Sequence, residues 1–570
     1  MLCRMMLRWT MYRFLTPIGG LVLANSSLIE NGSLRAQTTF EARIFEVDAP
    51  VSGIDFMHTD GSSGNRYIVE TVLGSLALFD YDDDGLIDIY FVNGAPLRGT
   101  KVTTPPKNRL YKNKGNWTFT DVTESSGLGD EQYGMGVVVG DYDHDGDADL
   151  FLSNFGTNAF YVNQGDGTFT ESATSCGLNS ESRFGAGNAF FDMDSDGDLD
   201  LYSASYVKFD YTQHKTRTIA GHQFHTGPND YEPAADYLYR NNGDGSFTDV
   251  TAWSGVGQLR EPGMGVLSAD FDDDGDMDLF VANDQKPNFL LLNDGQGRFH
   301  DDALLAGVAV DRMGRSNGNM GVDYADFNGD SLLDLVTTTY QEEMPVLYQA
   351  VAPGLFSDST NIARIDPTLN AHVKWGVGGV DFDNDGDSDL FIACGHFLDN
   401  IRFIDDRTDV KVTNYLLAND GRGRFSNVTK NAGSALQIVE STRGVGFDDL
   451  DNDGDVDFVA LNVNARPTIG RTEPVHPNRG VTVRLVGTTV NRDAVGAKIA
   501  AVLASGKKQT QVAAAGKGYE SYYGRRNYFG TGAGRVVRFD VQWPNGKRES
   551  FDCTSSAMTL VEGHGRHLNK

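Results

Sequence analysis

Sulfur is scarce in this chain. Its 570 residues include four cysteines, and Cys3 lies in an N-terminal stretch read below as a leader. Cys176, Cys394 and Cys553 remain, too few and too scattered for a disulfide framework or a thiolate zinc site. Stability therefore has to come from packing, or from a ligand other than sulfur. Past the leader there is no run of ~20 apolar residues, which argues against a transmembrane helix. Metalloprotease, P-loop and dinucleotide-binding signatures are absent. Positive charge is also short: 48 Lys+Arg against 79 Asp+Glu give a formal charge of −31, and such a chain would repel the phosphates of a nucleic acid. With 40% hydrophobic residues, it is too apolar to be disordered.

What is present is unevenly placed. Residues 1–24 carry Arg4, Arg8 and Arg13, then an apolar run from Phe14, and end with Val22 and Ala24 at the −3 and −1 positions of a small-residue cleavage site. That pattern predicts a secretory signal peptide, hence a secreted or extracellular protein, or a periplasmic or cell-surface one in a bacterium. Residues 471–570 hold 16 Lys+Arg against 7 Asp+Glu, whereas the first 470 hold 32 against 72. An acidic body followed by a basic tail predicts a boundary near 470.

One acidic phrase recurs seven times. DYDDDGLID supplies Asp80, Asp82, Asp84 and Asp88; DYDHDGDAD supplies Asp141, Asp143, Asp145 and Asp149. DMDSDGDLD gives Asp192, Asp194, Asp196 and Asp200, and DFDDDGDMD gives Asp270, Asp272, Asp274 and Asp278. DFNGDSLLD gives Asp326, Asn328, Asp330 and Asp334, DFDNDGDSD gives Asp381, Asp383, Asp385 and Asp389, and DLDNDGDVD gives Asp449, Asp451, Asp453 and Asp457. Positions 1, 3, 5 and 9 thus make 28 places, of which aspartate fills 27. A merely solvated turn has no reason to keep oxygen donors at four fixed offsets while the residues between them vary.

Calcium chemistry does have a reason. Ca²⁺ takes six to eight hard oxygens, and a tight loop can present them from positions 1, 3, 5 and 9 together with the carbonyl of 7. Glycine at position 6 permits the sharp turn. An EF-hand would need an acidic residue at position 12 and helical flanks, but position 12 is Phe91, Leu152, Ser203, Val281, Thr337, Ile392 or Ala460. The flanks, such as LFLSN, LFVAN and LFIAC, are strand-like. The expected unit is a strand–calcium–strand hairpin, with Ca²⁺ in up to seven sites. Loop five is the weakest, because Asn328 is neutral and Ser331 replaces the glycine.

A second phrase alternates with the first. RLYKNKGNWTFTDVTESSGL follows loop one and YLYRNNGDGSFTDVTAWSGV follows loop three, with weaker versions after loops four, five and six. Each reads as two strands about a glycine turn, so one period holds about four strands, the size of a propeller blade. The phrase is missing after loop seven, while TTFEARIFEVDAPVSGIDF precedes loop one. A permuted repeat of this kind predicts that the N-terminal segment completes the last blade and closes the ring.

The units GMGVVVGDYDHDGDADLFLSN and GMGVLSADFDDDGDMDLFVAN resemble FG-GAP/VCBS repeats, the propeller repeats also found in integrin α-subunits, over roughly residues 40–465. The resemblance implies an all-β fold: a seven-bladed propeller with Ca²⁺ in its blade hairpins, over 38–467. The segment 478–551 resembles an ASPIC/UnbV domain through NRDAVGAKI, GYESYY and VQWPNG, and departs from it at YFGTG, where that family tends toward an FGLG-like turn. A small β-rich domain is expected over 476–555. Propellers ending in this domain resemble the cartilage acidic protein family, which implies a secreted, calcium-loaded extracellular protein.

The tail domain gathers Tyr519, Tyr522, Tyr523, Arg525, Arg526 and Tyr528. Such a group is either a cationic, aromatic patch for an acidic glycan or for the propeller's own acidic rim, or the tyrosines of an ordinary core beside solvated arginines. Two constellations point weakly to catalysis. GRSNG at 314–318 matches G-x-S-x-G around Ser316, yet the residues after it read as a strand where a nucleophile elbow needs a helix. The insertion before loop four holds His214, His222 and His225, either a transition-metal or acid–base cluster or incidental histidines in an exposed loop. The sequence favours a monomeric, calcium-binding recognition or adhesion scaffold for an extracellular protein or acidic glycan, with no catalytic residues. The alternative is a Ca²⁺-dependent polysaccharide lyase or hydrolase working on the propeller face.

Overall fold

The computed structural model describes residues 40–178, 182–475 and 478–568; the expected leader over 1–24 lies outside the described residues. Each aspartate loop joins the first two strands of a four-stranded antiparallel sheet. In blade one the strands run Leu76–Phe79, Asp88–Phe91, Arg109–Asn113 and Phe119–Asp121, each paired with the next. Equivalent blades begin at Tyr133–Gly140, Arg183–Phe191, Gly263–Ala269, Val322–Ala325, Lys374–Val380 and Thr442–Asp448. The protein is an all-β, seven-bladed propeller with a small β-rich C-terminal domain. Second strands such as DLFLSN, DLYSAS and DLFVAN are buried throughout. They read as near-continuous apolar runs because neighbouring blades cover both of their faces.

The first strands lie innermost and pack on one another in a closed cycle. Glycine allows the approach: a Cβ on Gly136, Gly187, Gly265, Gly321, Gly376 or Gly444 would collide with a carbonyl oxygen of the next blade's inner segment. Blade one has Ser75 near the corresponding place, and its hydroxyl donates to the Met135 carbonyl of blade two.

Blade seven closes the ring. Its strands Asp457–Asn462 and Thr468–Pro474 are followed outward by Ala42–Glu46, with Ala42 opposite Pro474 and Glu46 opposite Gly470. The expectation that the strand phrase is missing after loop seven is corrected here. The third strand is present as TIGRTEP, and the N-terminal segment supplies only the outermost strand. TIGRTEP escapes notice because it lacks the asparagine and the glycine turn of its counterparts. Closure leaves no inner or outer strand of blade seven without a neighbour in the chain.

That asparagine has a specific task. Asn113, Asn163, Asn241, Asn293 and Asn419 are buried on third strands, and each Nδ2 donates to one carbonyl beside its own loop and to one in the preceding blade. For Asn241 these are Leu199 at 3.2 Å and Tyr142 at 2.8 Å. Asn241→Ala strands both carbonyls without a donor and is expected to cost about 2–4 kcal/mol, read as a lower urea midpoint at unchanged slope.

Blade three also buries Asp236, whose carboxylate accepts the Ser205 N–H at 2.7 Å and the Tyr202 hydroxyl at 2.6 Å. Burial nevertheless pushes this carboxyl up to about 7. The folded chain therefore keeps a proton that the unfolded chain has lost, so the contribution is full below pH ~4 and is lost as pH rises toward ~7. Asp236→Asn, which has the shape of the protonated acid, is expected to flatten the dependence of melting temperature on pH between those limits.

The C-terminal domain has two sheets about a core that includes Val483, Ile499, Phe529, Phe539 and Trp543. One sheet sets Gly480–Val486 between Arg526–Gly530 and Ala557–Val561. The other orders Lys508–Val512, Lys498–Leu503, Val536–Gln542, Arg548–Asp552 and Arg566–His567.

Candidate metal centres on the loop face

All seven aspartate loops share one backbone. The fourth residue is left-handed in each, with φ from 51° at Asp83 to 77° at Gly329, and so is the sixth, from 72° at Ser331 to 104° at Gly146 and Gly275. In six loops the first aspartate accepts the N–H of the sixth residue at 2.8–3.0 Å. The fifth accepts the N–H of the seventh in all of them at 2.9–3.0 Å. The ninth, at the start of the second strand, clamps the hairpin. One oxygen takes the N–H of the second loop residue and the other takes an N–H from the third strand, as in Asp200 with Met193 at 2.8 Å and Asn241 at 2.8 Å. The same pair of bonds is made by Asp88, Asp149, Asp278, Asp334, Asp389 and Asp457.

Loop five keeps this backbone although its glycine has moved from the sixth place to the fourth, so Ser331 is left-handed. A side chain there costs about 1–2 kcal/mol, and Ser331→Gly, which removes no carboxylate and keeps the N–H that Asp326 accepts, is expected to stabilise the chain by about 0.5–1 kcal/mol net of chain entropy, measured by urea denaturation.

The turns bring the expected residues together. Carboxylate oxygens of Asp80, Asp82 and Asp88 lie within 4.8 Å of one another, as do those of Asp141, Asp143 and Asp149, of Asp192, Asp194 and Asp200, of Asp270, Asp272 and Asp278, and of Asp381, Asp383 and Asp385. In loop five the Asn328 amide instead turns onto Asp330 at 2.9 Å. In loop seven Asp451 accepts the Trp117 indole N–H from blade one at 2.8 Å. Among the described residues, Oδ1 of Asp82, Asp141, Asp192, Asp194, Asp270 and Asp451 is buried with no hydrogen-bond partner. Such oxygens are costly unless something binds them, and converging carboxylates are the donor set of a hard divalent cation. Their electrostatics agree. Burial, reinforced by Asp493 and by Asp196 respectively, pushes Asp141 and Asp192 up to about 7. Burial lifts Asp278 to about 8 although two backbone donors oppose it.

The basic domain sits on this face. Lys498 reaches Asp270 at 2.9 Å, Arg492 reaches Asp141 at 3.4 Å, Arg484 reaches Asp83 at 3.2 Å and Lys507 reaches Asp387 at 3.0 Å. Arg526 pairs with Asp448 at 2.6 Å. The charge asymmetry of the sequence is thus complementarity within one molecule. A finger of the domain, residues 516–523, enters the central channel, where Lys517 and Ser521 pair across its turn. It meets every blade. Gly518 exchanges both backbone bonds with Val322 of blade five, the Glu520 carbonyl accepts from Val137 of blade two, and Tyr522 pairs with Leu76 and Leu78 of blade one. Gly516 abuts Asn188 of blade three, the Gly518 carbonyl abuts Gly265 of blade four, and Ser521 abuts Gly444 of blade seven. The Tyr523 hydroxyl donates toward Val377 of blade six at 3.2 Å.

The aromatic cluster is therefore no surface patch. Tyr519, Tyr522 and Tyr523 are 0%, 2% and 4% exposed, Arg525 pairs with Asp493 at 2.6 Å, and the Tyr528 hydroxyl bonds Asp448 at 2.5 Å. The acidic-glycan reading of this group is corrected: the three tyrosines of the finger pack inward as core residues do, but the arginines are paired rather than solvated, and Arg526 with Tyr528 meets Asp448 of the propeller. No regularity of spacing announces such an insertion.

The histidines do not form one cluster either. His214 packs edge-on to Tyr67 at 4.7 Å, His222 stacks on Phe403 at 3.9 Å, and His225 pairs with Glu70 at 3.1 Å, where both side chains are buried. They are structural supports rather than incidental residues of an exposed loop. Ser316 lies in an irregular stretch leading to the strand Val322–Ala325, so no strand–turn–helix presents it.

Comparison with known proteins gives matches to both parts of the chain. A family model described as an FG-GAP-like repeat matches residues 80–152, 141–203, 227–281, 270–337 and 381–460, and one described as ASPIC and UnbV matches 487–565. Cartilage acidic protein 1 of Mus musculus is 28% identical over 336 residues, which are 58% of this chain and 49% of that protein. The Homo sapiens protein of the same name is 27% identical over 336 residues, 58% and 48% of the two chains. The chain thus spans about half the length of these curated relatives. Among solved structures, a Bacillus licheniformis rhamnogalacturonan lyase covers 75% of each chain at 12% identity with a TM-score of 0.36. Among the described residues no helix is long and apolar enough to cross a membrane.

Proposed function

This chain belongs to the FG-GAP-like repeat family and carries an ASPIC and UnbV domain after its propeller, and from that premise we propose that it is a secreted, calcium-stabilised recognition scaffold. The carrying observation is the set of buried, donorless carboxylate oxygens repeated at the first or third position of several loops. Residues at positions 1, 3, 5 and 9 of each loop would hold the ions, from Asp80, Asp82, Asp84 and Asp88 in loop one to Asp449, Asp451, Asp453 and Asp457 in loop seven. Bound calcium supplies positive charge that neutralises the crowded carboxylates. The first and fifth aspartates shape the turn, and the ninth fastens it to the second and third strands, so each loop is preorganised by its own backbone.

Calcium here is structural. Carboxylates held ionised by a cation are poor general acids, and the tail domain covers much of the loop face. Recognition of an extracellular protein or glycan falls instead to the opposite face, where the insertions near 207–233 and 395–413 project. Secretion is supported by the arginines, apolar run and small-residue site of residues 1–24.

Two measurements test the reading. Equilibrium dialysis of the mature chain against calcium is expected to count several ions, up to seven; none bound refutes it. Incubation of the calcium-loaded chain with extracellular-matrix proteins and with uronate-containing and sulfated polysaccharides is expected to give retention without cleavage. Shortening of a polysaccharide would replace the scaffold with a lyase or hydrolase.

A further inference from the structure

On the face away from the aspartate loops, the central channel opens into a cavity of about 200 Å³. Its floor is Met264, Met320 and Trp375 from the inner region of blades four, five and six, and its walls include Tyr206, Asp284 and Tyr340. The finger seals it from below: the Tyr519 hydroxyl donates to the Val72 carbonyl at 2.7 Å, and its ring lies edge-on to Trp375 at 5.3 Å. Phe224 and His225 of one insertion and Phe397 of the other roof it.

The roof is built, not draped. The His225–Glu70 pair fastens it to blade one, the His222–Phe403 stack joins the two insertions, and the Asn400 amide donates to the Gln223 carbonyl at 2.8 Å. This gives His222, His225 and both insertions a common purpose. The mouth is marked by Ile219 and Ile404, which line the cavity and are 44% and 45% exposed. Half-exposed isoleucines at the rim of an aromatic cavity form the kind of apolar edge that a ligand covers.

The lining narrows the ligand class. Asp284 is 8% exposed; one of its oxygens accepts the Tyr206 hydroxyl at 2.7 Å, which leaves the other to accept from a guest. Burial pushes the Asp284 carboxyl up to about 7, so it disfavours an anionic guest once it ionises, while Arg217 on the lining, ion-paired to Asp230 at 2.6 Å, disfavours a cationic one. Aromatic rings and thioethers favour flat C–H faces. A volume below the ~300–1,000 Å³ of drug-sized sites admits a single ring. We propose that this cavity binds one neutral pyranose at the end of a glycan, with Asp284 and Tyr206 engaging its hydroxyls. The proposal rests on the recognition reading above and names its ligand.

Saturation-transfer NMR on the full calcium-loaded chain tests it, with the methyl pyranosides of a neutral hexose, a 6-deoxyhexose and an N-acetylhexosamine as probes, beside methyl glucuronide and tetramethylammonium. At least one neutral pyranoside is expected to bind. Asp284→Asn should weaken it about tenfold. So should Ile219→Trp with Ile404→Trp, which crowd the mouth from surface positions and leave the calcium-loaded melt unchanged. Absence of binding by every neutral probe overturns the proposal, as does binding of the charged probes alone or binding that both mouth substitutions leave untouched. A chain that calcium stabilises and that still retains a matrix protein or polysaccharide, yet takes no pyranoside, keeps the scaffold reading and loses this one.

Discussion

In excess chelator the mature chain is expected to melt about 10 °C lower than in millimolar calcium. The size follows from linkage. With ~1 mM Ca²⁺ and dissociation constants near ~0.1 mM, each site contributes about 1.4 kcal/mol, and seven sites approach ~10 kcal/mol, as much as a whole domain's stability. A propeller of some four hundred residues has an unfolding entropy near ~0.9 kcal/mol/K, which converts that loss to about 10 °C. Magnesium should restore little of it, because it insists on octahedral geometry and gives up water reluctantly. The sites should not weaken together. Loop five, with Asn328 turned onto Asp330, is expected to empty first on titration with chelator. Lys112 on Asp82 and Asp84 and Lys498 on Asp270 bring a second cation to loops one and four. An unchanged melt would mean that the backbone bonds of the first, fifth and ninth aspartates suffice to hold each turn, and that the donorless oxygens are an unrelieved cost.

Much of the loop geometry was legible because a tight hairpin turn imposes fixed offsets on the chain. Oxygen donors at positions 1, 3, 5 and 9 leave a pattern that survives variation between them. The pattern could not separate roles: the ninth aspartate looks like its fellows in sequence, but in the fold it clamps three segments of backbone. The asparagines from Asn113 to Asn419 recur in five of the seven blades, with Ala350 and Thr472 in their place in blades five and seven, and were within reach, hidden only by their place inside a longer phrase. The third strand of blade seven was not, since TIGRTEP shares neither asparagine nor turn with the others. The histidines illustrate the opposite error. His214, His222 and His225 are close in the chain, yet the hairpin Arg217–Ile219 with His222–Phe224 directs them to Tyr67, Phe403 and Glu70. Proximity along a chain says little once a turn lies between.

Removing the rings of the finger is the other large effect expected. Tyr519→Ala together with Tyr522→Ala empties two sites that are 0% and 2% exposed, and each aromatic truncation costs about 3–5 kcal/mol in a well-packed interior. The position of the loss matters more than its size. Inner strands of a propeller meet near the axis through short contacts, most of them here at glycines, and residues 516–523 bond or abut all seven of them. The finger therefore couples blades that are not neighbours, and couples the ring to the tail domain. The parent chain is expected to unfold in one calorimetric transition. The double variant is expected to show two, with the propeller melting below the tail domain and needing more calcium to reach its former temperature. High salt separates the finger from the ion pairs around it: screening weakens Lys507–Asp387 and Arg484–Asp83 at the domain edge but leaves buried rings in place. In the parent, then, salt should lower the single transition without splitting it. A double variant whose propeller transition stays where the parent's was would make the finger a passenger in the channel, and the ring's cohesion would rest on its glycine contacts and bound ions alone.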